Sequence, residues 1–271
     1  MASFKIVVSY DGADFVGWQR QANGVSIQGL IEDVLAEIDG GRAVAVDGAG
    51  RTDAGVHALG QVASFTLARE IEADTLVRAL NAHLPPPIRV LSAEAAAASF
   101  HARFDARGKT YRYQLWIGDV LSPFERGRVW HLPGRLDVDA MRAAARLLEG
   151  RHDFAAFQGT GGDVATTERE IFLSRMVDGG LRIGDESTIE SAIPNPQSAM
   201  LLYEVTGSGF LRHMVRTIVG TLVEIGRGRR PVDWIADVIA ARNRTLAGPT
   251  APPHGLFLVG VEYGDALAAG S

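Results

Sequence analysis

The sequence predicts an α+β fold of two linked subdomains, with a mainly antiparallel sheet that packs helices on one face, leaves the other to a ligand, and has a cleft between its halves. Three observations predict it. Strand-like and helix-like segments alternate along the chain. Within the strands polar and apolar residues alternate as well, the pattern of a sheet buried on one side. The order of elements in the first half then returns in the second, an architectural echo without convincing identity between the copies.

Taken in order, Phe4, Ile6, Val8 and Tyr10 alternate with Lys5, Val7 and Ser9 in a strand that ends at the Asp11-Gly12 turn. Ile27, Leu30, Ile31, Val34, Leu35 and Ile38 fall on one helix face, with Ser26 as N-cap and Gly40-Gly41 as the stop. Strand-like runs at Arg42 to Val46 and Gln61 to Leu67 bracket a polar, glycine-punctuated loop. A helix over Asp74 to Leu84 is halted by Pro85-Pro86-Pro87, and Ile88 to Ala93 is a further strand. The echo follows: strand Thr110 to Ile117, helix Asp137 to Leu148, strands Ile171 to Val177 and Met200 to Thr206, helix Phe210 to Ile225. A last helix opens at Pro231 with Ile235, Val238 and Ile239 on its buried side, and a last strand spans Leu256 to Val261. Gly159 to Asp163 and Asn195-Pro196-Gln197-Ser198 are expected as mobile loops, and the tail after the strand as loose. The subdomains are expected at 1–105 and 106–264, with the tail at 265–271.

Composition narrows the chemistry. A chain of 271 residues that is 46% hydrophobic is an ordinary globular protein, and no stretch approaches the roughly 20 apolar residues of a membrane span. With no secretory run at the N-terminus either, a cytoplasmic location is expected. There is no cysteine, so disulfides, thiolate catalysis and cysteine-bound metals are excluded. The net charge of −5 argues mildly against a nucleic-acid partner, but Lys5 and Lys109 are the only lysines, and arginine is the side chain that grips phosphate in a fork and stacks on bases. Coding bias accounts for the arginine excess as a whole; particular arginines carry the functional interest.

Several motifs fail. Gly108-Lys109-Thr110 ends like a phosphate-binding loop, but Arg103 stands where that motif needs glycine and the segment enters a strand. Gly207-Ser208-Gly209 lacks the spacing of a nucleophile elbow. The seven histidines include no pair at ligand spacing on one helix, so no metal is expected. Asn243-Arg244-Thr245 is a glycosylation sequon in form only.

Gly50 to Ala58 reads GRTDAGVHA, small residues around Arg51, Thr52, Asp53 and His57. Glycine and alanine there let a substrate approach the backbone. A carboxylate so placed can attack or deprotonate a bound group, with arginine beside it for charge or stacking. Taken alone, the loop reads more readily as a tight turn with an aspartate cap.

It does not stand alone. SYDGADFVGWQRQ (Ser9 to Gln21), GRTDAGVHALGQVASF (Gly50 to Phe65), FHARFDARGKTYRYQLW (Phe100 to Trp116), GSGFLRHMVRTIVG (Gly207 to Gly220) and APPHGLFLVGVEY (Ala251 to Tyr263) closely resemble, in order, the tRNA pseudouridine synthase A family. The resemblance implies two ferredoxin-like α/β subdomains related by a pseudo-twofold, helices on one face of a central sheet, and an RNA-binding cleft. It implies an isomerase that turns uridine into pseudouridine at positions 38, 39 and 40 of the tRNA anticodon arm, with no redox carrier, nucleotide cofactor or metal, working as a homodimer away from membranes.

The resemblance also implies roles. Asp53 matches the essential aspartate, nucleophile or base while the glycosidic bond breaks and the base is rejoined through carbon. Arg51 matches the arginine that helps turn the uridine out of its stack, and Tyr111 the tyrosine lying against the flipped base. Arg216 resembles the basic partner of the catalytic carboxylate, and Arg103 an RNA-contacting arginine. An enzyme acting on a base within a stem must offset a few kcal/mol of unstacking, and an aromatic face with a charged replacement suits that task. Tyr111 shares a strand face with Tyr113, Leu115 and Ile117, so a core role stands beside the functional one. Arg216 follows Arg212 by four residues beside an apolar face at Val215, Ile218 and Val219, where a solvated pair is the alternative to a salt bridge with a buried carboxylate. Arg227, Arg229 and Arg230, with Arg126 and Arg128, are candidates for phosphate contact.

The chain departs from the pattern at Thr166-Thr167-Glu168-Arg169 and in the insertion-like segment Ile183 to Ser198, which puts tRNA preference in doubt and not the chemistry. Two rivals remain: a tRNA-binding protein without catalysis, and a carboxylate glycosidase, for which Asp47 is the only second carboxylate close in sequence.

Overall fold

The structure is a computed structural model that describes residues 1–161, 164–179 and 199–264. The end of the Gly159 to Asp163 loop, the segment Ile183 to Ser198 with its Asn195 to Ser198 loop, and the tail at 265–271 lie outside the described residues. In chain order the elements are β1 (Ala2–Tyr10), α1 (Ile27–Ile38), β2 (Asp47–Gly48), β3 (His57–Leu67), α2 (Ala73–His83) and β4 (Ile88–Ala96). There follow β5 (Ala106–Ile117), β6 (Trp130–Leu132), α3 (Val138–Arg146), β7 (Gly150–Asp153), β8 (Glu168–Asp178), β9 (Ala199–Gly207), α4 (Met214–Gly226), α5 (Trp234–Ala241) and β10 (Leu256–Tyr263). The fold is α+β with mainly antiparallel pairing, as the alternation of elements predicts.

The chain divides into two units, one of Met1–Tyr111 and the stretch from Phe257, the other of Arg112–Leu256. Sequence reading drew one cut, at 105/106; the structure draws two, inside β5 and at the start of β10.

In the first unit the strands run β4-β1-β3, with β2 and β10 both on β3. β1 is antiparallel to β3 and β4, placing Phe4 opposite Phe65 and Ala95. Its alternation buries Phe4, Ile6, Val8 and Tyr10. Ser26 caps α1 by accepting from the Gly29 amide, and Gly40 and Gly41 end it with φ of 71° and 87°, a region open to glycine at no steric cost. β10 returns parallel to β3, Phe257 beside His57.

The second unit repeats the order strand, helix, hairpin, helix as β5, α3, β8, β9, α4. Its strand sequence β5-β9-β8 has the pattern of β1-β3-β2, with β7 added on β8. Asp137 caps α3 by accepting from the Ala140 amide. Of the thirteen residues of α4, all but Arg216 and Glu224 are buried.

Three expectations need correction. Arg42 to Val46 is not a strand, because α1 side chains satisfy the backbone that a neighbouring strand would have bonded. The Val46 amide donates to Glu32, and the Gln28 amide group donates to the Val46 carbonyl. α4 begins at Met214 and not at Phe210, because His213 before it sits at φ 60°, which no helix continues through. Arg212 therefore precedes the helix and does not share a face with Arg216; its guanidinium donates to the Thr160 carbonyl. The last helix begins at Trp234, after a turn that Pro231 opens.

Candidate active site

The loop of residues 49–56 is held from behind. The Ala49 amide donates to the Val62 carbonyl at 2.8 Å, the Gln61 side chain donates to the Gly50 carbonyl at 2.7 Å, and the Trp18 amide donates to the Thr52 carbonyl at 3.0 Å. The Thr52 and Tyr10 hydroxyls are 2.7 Å apart, both buried. The Val56 amide closes a turn on the Asp53 carbonyl, and Gly55 at φ 78° supplies its left-handed residue. With the backbone fixed on both sides, Arg51 is left exposed and Asp53 half-buried.

The first motif block is what holds the second. Asp53 forms an isolated antiparallel bridge with Gly17, where a Cβ would come within 2.6 Å of the Thr52 carbonyl oxygen. At Gly12 a Cβ would collide outright with the Val56 carbonyl. The Gly12 amide donates to Nδ1 of His57, a ring 2% exposed that stacks on Phe257 at 4.6 Å between centroids. Because Nδ1 accepts there, the Asp11 carboxylate 3.0 Å away is an ion-pair partner only in a protonated ring that has released the amide.

Tyr111 is buried, and its hydroxyl lies beside Gly50, 3.8 Å from where a Cβ there would stand. Burial pushes the Tyr111 hydroxyl well above the ordinary tyrosine range, and nearby Tyr10 and the charge of Asp53 push the same way. The hydroxyl therefore stays protonated at neutral pH and can donate. Tyr10 is raised by burial too, partly offset by hydrogen bonds with Thr52 and Gln61. Lys109, on the same strand face as Tyr111, brings its ammonium to Gly50 as well.

Arg103 is exposed, in a loop whose neighbour Ala102 packs on Ala49 and Val62 under the Asp53 loop. Arg216 belongs to the second unit. It occupies the first turn of α4, where the helix dipole disfavours a cation, and its Nε donates to the Ala251 carbonyl at 2.8 Å. The Ala251 amide answers to the Arg216 carbonyl, and the Tyr113 hydroxyl donates to the Pro252 carbonyl, so three motif blocks meet in this unit. Of the other basic candidates, Arg227 and Arg229 are drawn to Glu224 and Arg230 lies over Trp234. Among the described residues no three His, Asp or Glu side chains gather as a metal site requires, and no helix is long and apolar enough to cross a membrane.

Sequence reading gave no part in the site to Tyr10, Gln61, Lys109 or the glycines at 12 and 17. A signal existed for Tyr10: a tyrosine closing the buried face of a strand needs a partner for its hydroxyl.

Comparison with known proteins agrees with the motif order. The family described as tRNA pseudouridine synthase matches residues 6–105 and 144–264. The chain belongs to the tRNA pseudouridine synthase family. It is 43% identical over 263 residues to tRNA pseudouridine synthase A of Syntrophotalea carbinolica, covering 97% of each chain. It is 43% identical to the tRNA pseudouridine synthase A of Myxococcus xanthus, over 98% of this chain and 93% of that one, and 44% identical to that of Solibacter usitatus, over 97% and 100%. The synthase family match spans both units, and its unmatched gap at 106–143 contains Tyr111.

Proposed function

We propose that this chain is an isomerase that converts uridine to pseudouridine in tRNA, at positions 38, 39 and 40 of the anticodon arm. The observation that carries the reading is a half-buried aspartate on a loop pinned at residues 49, 50 and 52, with a buried tyrosine close enough to feel its charge. Asp53 acts on the everted uridine as nucleophile or base while the bond from sugar to nitrogen is exchanged for one from sugar to carbon. The Tyr111 ring lies against the base. Arg51, projecting from the same fixed loop, takes the place the uridine leaves. Arg216 serves as the basic residue of the site, and Arg103 contacts RNA. The reaction is an internal rearrangement, so substrate and product have the same atoms. A homodimer in the cytoplasm, without metal or nucleotide cofactor, completes the proposal. Recognition rests on tRNA shape and charge more than on sequence.

The test is incubation with unmodified tRNA followed by digestion and assay for pseudouridine. Asp53→Asn is expected to lower turnover by about 10³-fold or more while tRNA affinity and thermal stability stay near the parent's. Full activity in that variant would end the proposal. Tyr111→Phe keeps the ring and loses the hydroxyl, and a rate about tenfold lower is expected, the worth of one hydrogen bond. A variant as fast as the parent would restrict the hydroxyl to packing. Release of free uracil in place of pseudouridine would favour the glycosidase instead.

A further inference from the structure

We propose that Phe104 is a stacking platform for a nucleobase of the RNA substrate, mounted beside the Asp53 loop; this extends the tRNA reading above and rests on it. Phe104 is 74% exposed, although the backbone that carries it is fixed. The His101 amide donates to the Asp105 carboxylate at 2.8 Å and the Asp105 amide donates back to the His101 carbonyl at 3.1 Å. The Arg103 amide donates to His101 Nδ1, the Ala102 amide to the Ser64 hydroxyl, and the Tyr263 hydroxyl to the Ala102 carbonyl. A phenyl ring held out by so constrained a loop is not exposed through looseness.

Its surroundings select the ligand. The His101 ring leans on it with centroids 4.2 Å apart, and the Arg103 guanidinium lies 5.8 Å from its centroid. Arg107 is exposed three residues on. An exposed aromatic ring with a guanidinium over it and a second arginine close by is how proteins hold unpaired nucleobases, the ring stacking on the base and the cations reaching the phosphates. A protein partner would instead ask for a contiguous apolar patch, and the exposed residues within three positions of Phe104 are Arg103, Asp105 and Arg107. Position agrees with chemistry. Ala102 packs on Ala49, which opens the Asp53 loop, and His101 Nε2 lies 3.7 Å from the carboxylate of Asp47 just before it. The loop that carries Phe104 is thereby tied to the start of the Asp53 loop, and a base near the target uridine is the ligand proposed for it.

The experiment titrates fluorescently labelled unmodified tRNA with full-length Asp53→Asn protein, so that the RNA is not consumed, with Phe104 intact or changed to Ala or Trp. Phe104→Ala is expected to weaken binding about tenfold with an unchanged salt slope, and Phe104→Trp to bind within about twofold of the parent. Arg103→Ala, by contrast, should lower the salt slope by about one. Melting temperatures close to the parent's would exclude a folding cause, since the ring is outside the core. Equal affinity of Phe104→Ala and parent overturns the platform. So does a weakening that coincides with a smaller sedimenting species, which would make Phe104 a contact between copies of the chain. If the unchanged protein fails to bind tRNA, the tRNA reading falls first and the platform with it.

Discussion

The two units follow one order of elements, yet an aspartate between strands is put to opposite uses in each. In the first unit residues 49–56, between β2 and β3, carry Asp53 on a loop fixed through its backbone and through Thr52. In the second, Asp153 ends β7, between α3 and β8, and its carboxylate accepts from the Thr167 hydroxyl at 2.6 Å and the Ala155 amide at 3.0 Å, and pairs with Arg242 at 3.1 Å. The Thr167 bond leads in holding the Asp153 carboxyl below the usual range. One aspartate is used to tie a connection together; the other sits on a connection tied by its neighbours. The scaffold is shared and the chemistry is grafted onto one copy.

Two glycines would break this contrast most severely. A Cβ at Gly12 would strike the Val56 carbonyl beside the Asp53 loop, and one at Gly220 would strike the Pro249 carbonyl against α4. Each change to alanine is expected to cost about 3 kcal/mol or more in urea unfolding. Only Gly12→Ala should also lose turnover in its folded fraction, and equal losses from both would erase the distinction between the units.

A smaller effect is expected at Glu204, 14% exposed, which accepts from Arg112 and Arg175 on neighbouring strands of the second unit. Burial works to raise this carboxyl, but hydrogen bonds from Arg175 and Arg112 outweigh it and hold the group below its ordinary value. Because the folded value is depressed, its contribution is present above the unfolded value of about 4.5 and is lost as pH falls through the folded one. Glu204→Gln should cost about 2 kcal/mol at neutral pH, leave turnover unchanged, and flatten the fall in melting temperature below about pH 4.5. Least of all, Ser26→Ala and Asp137→Ala remove matching N-caps from α1 and α3 and should cost about 1 kcal/mol each by urea midpoint. A large difference between them would show that the echo does not extend to local energetics.

Most of this was legible in the chain. The period of apolar residues and the cap at Ser26 placed α1 without error, since both are local and nothing distant overrides them. Arg42 to Val46 misled because Val44 and Val46 have the alternation of a strand, while what bonds their backbone is a pair of side chains on α1. His213 gave no warning of its φ of 60°, for a non-glycine residue enters that region only when its surroundings compel it. At the site, Asp53, Arg51 and Tyr111 came from motif resemblance. Periodicity offered nothing for them, whereas the support from Tyr10, Gly12 and Gly17 depends on contacts across about 35 to 45 residues that no local pattern reveals, and that from Gln61 on a bond back across the loop to Gly50.

The stacking of His57 on Phe257 has a consequence for how the protein is made. The ring that closes over the floor of the Asp53 loop is specified 200 residues after it, and at translation speeds of about 5–20 residues per second it reaches the waiting strand roughly 10–40 s later. Until then β3 lacks its β10 neighbour, so a nascent chain carrying every polar residue of the loop still holds it unfinished. Competence waits for the segment that encodes β10, and a ribosome that stalls before it leaves behind a catalytic half without its closing strand.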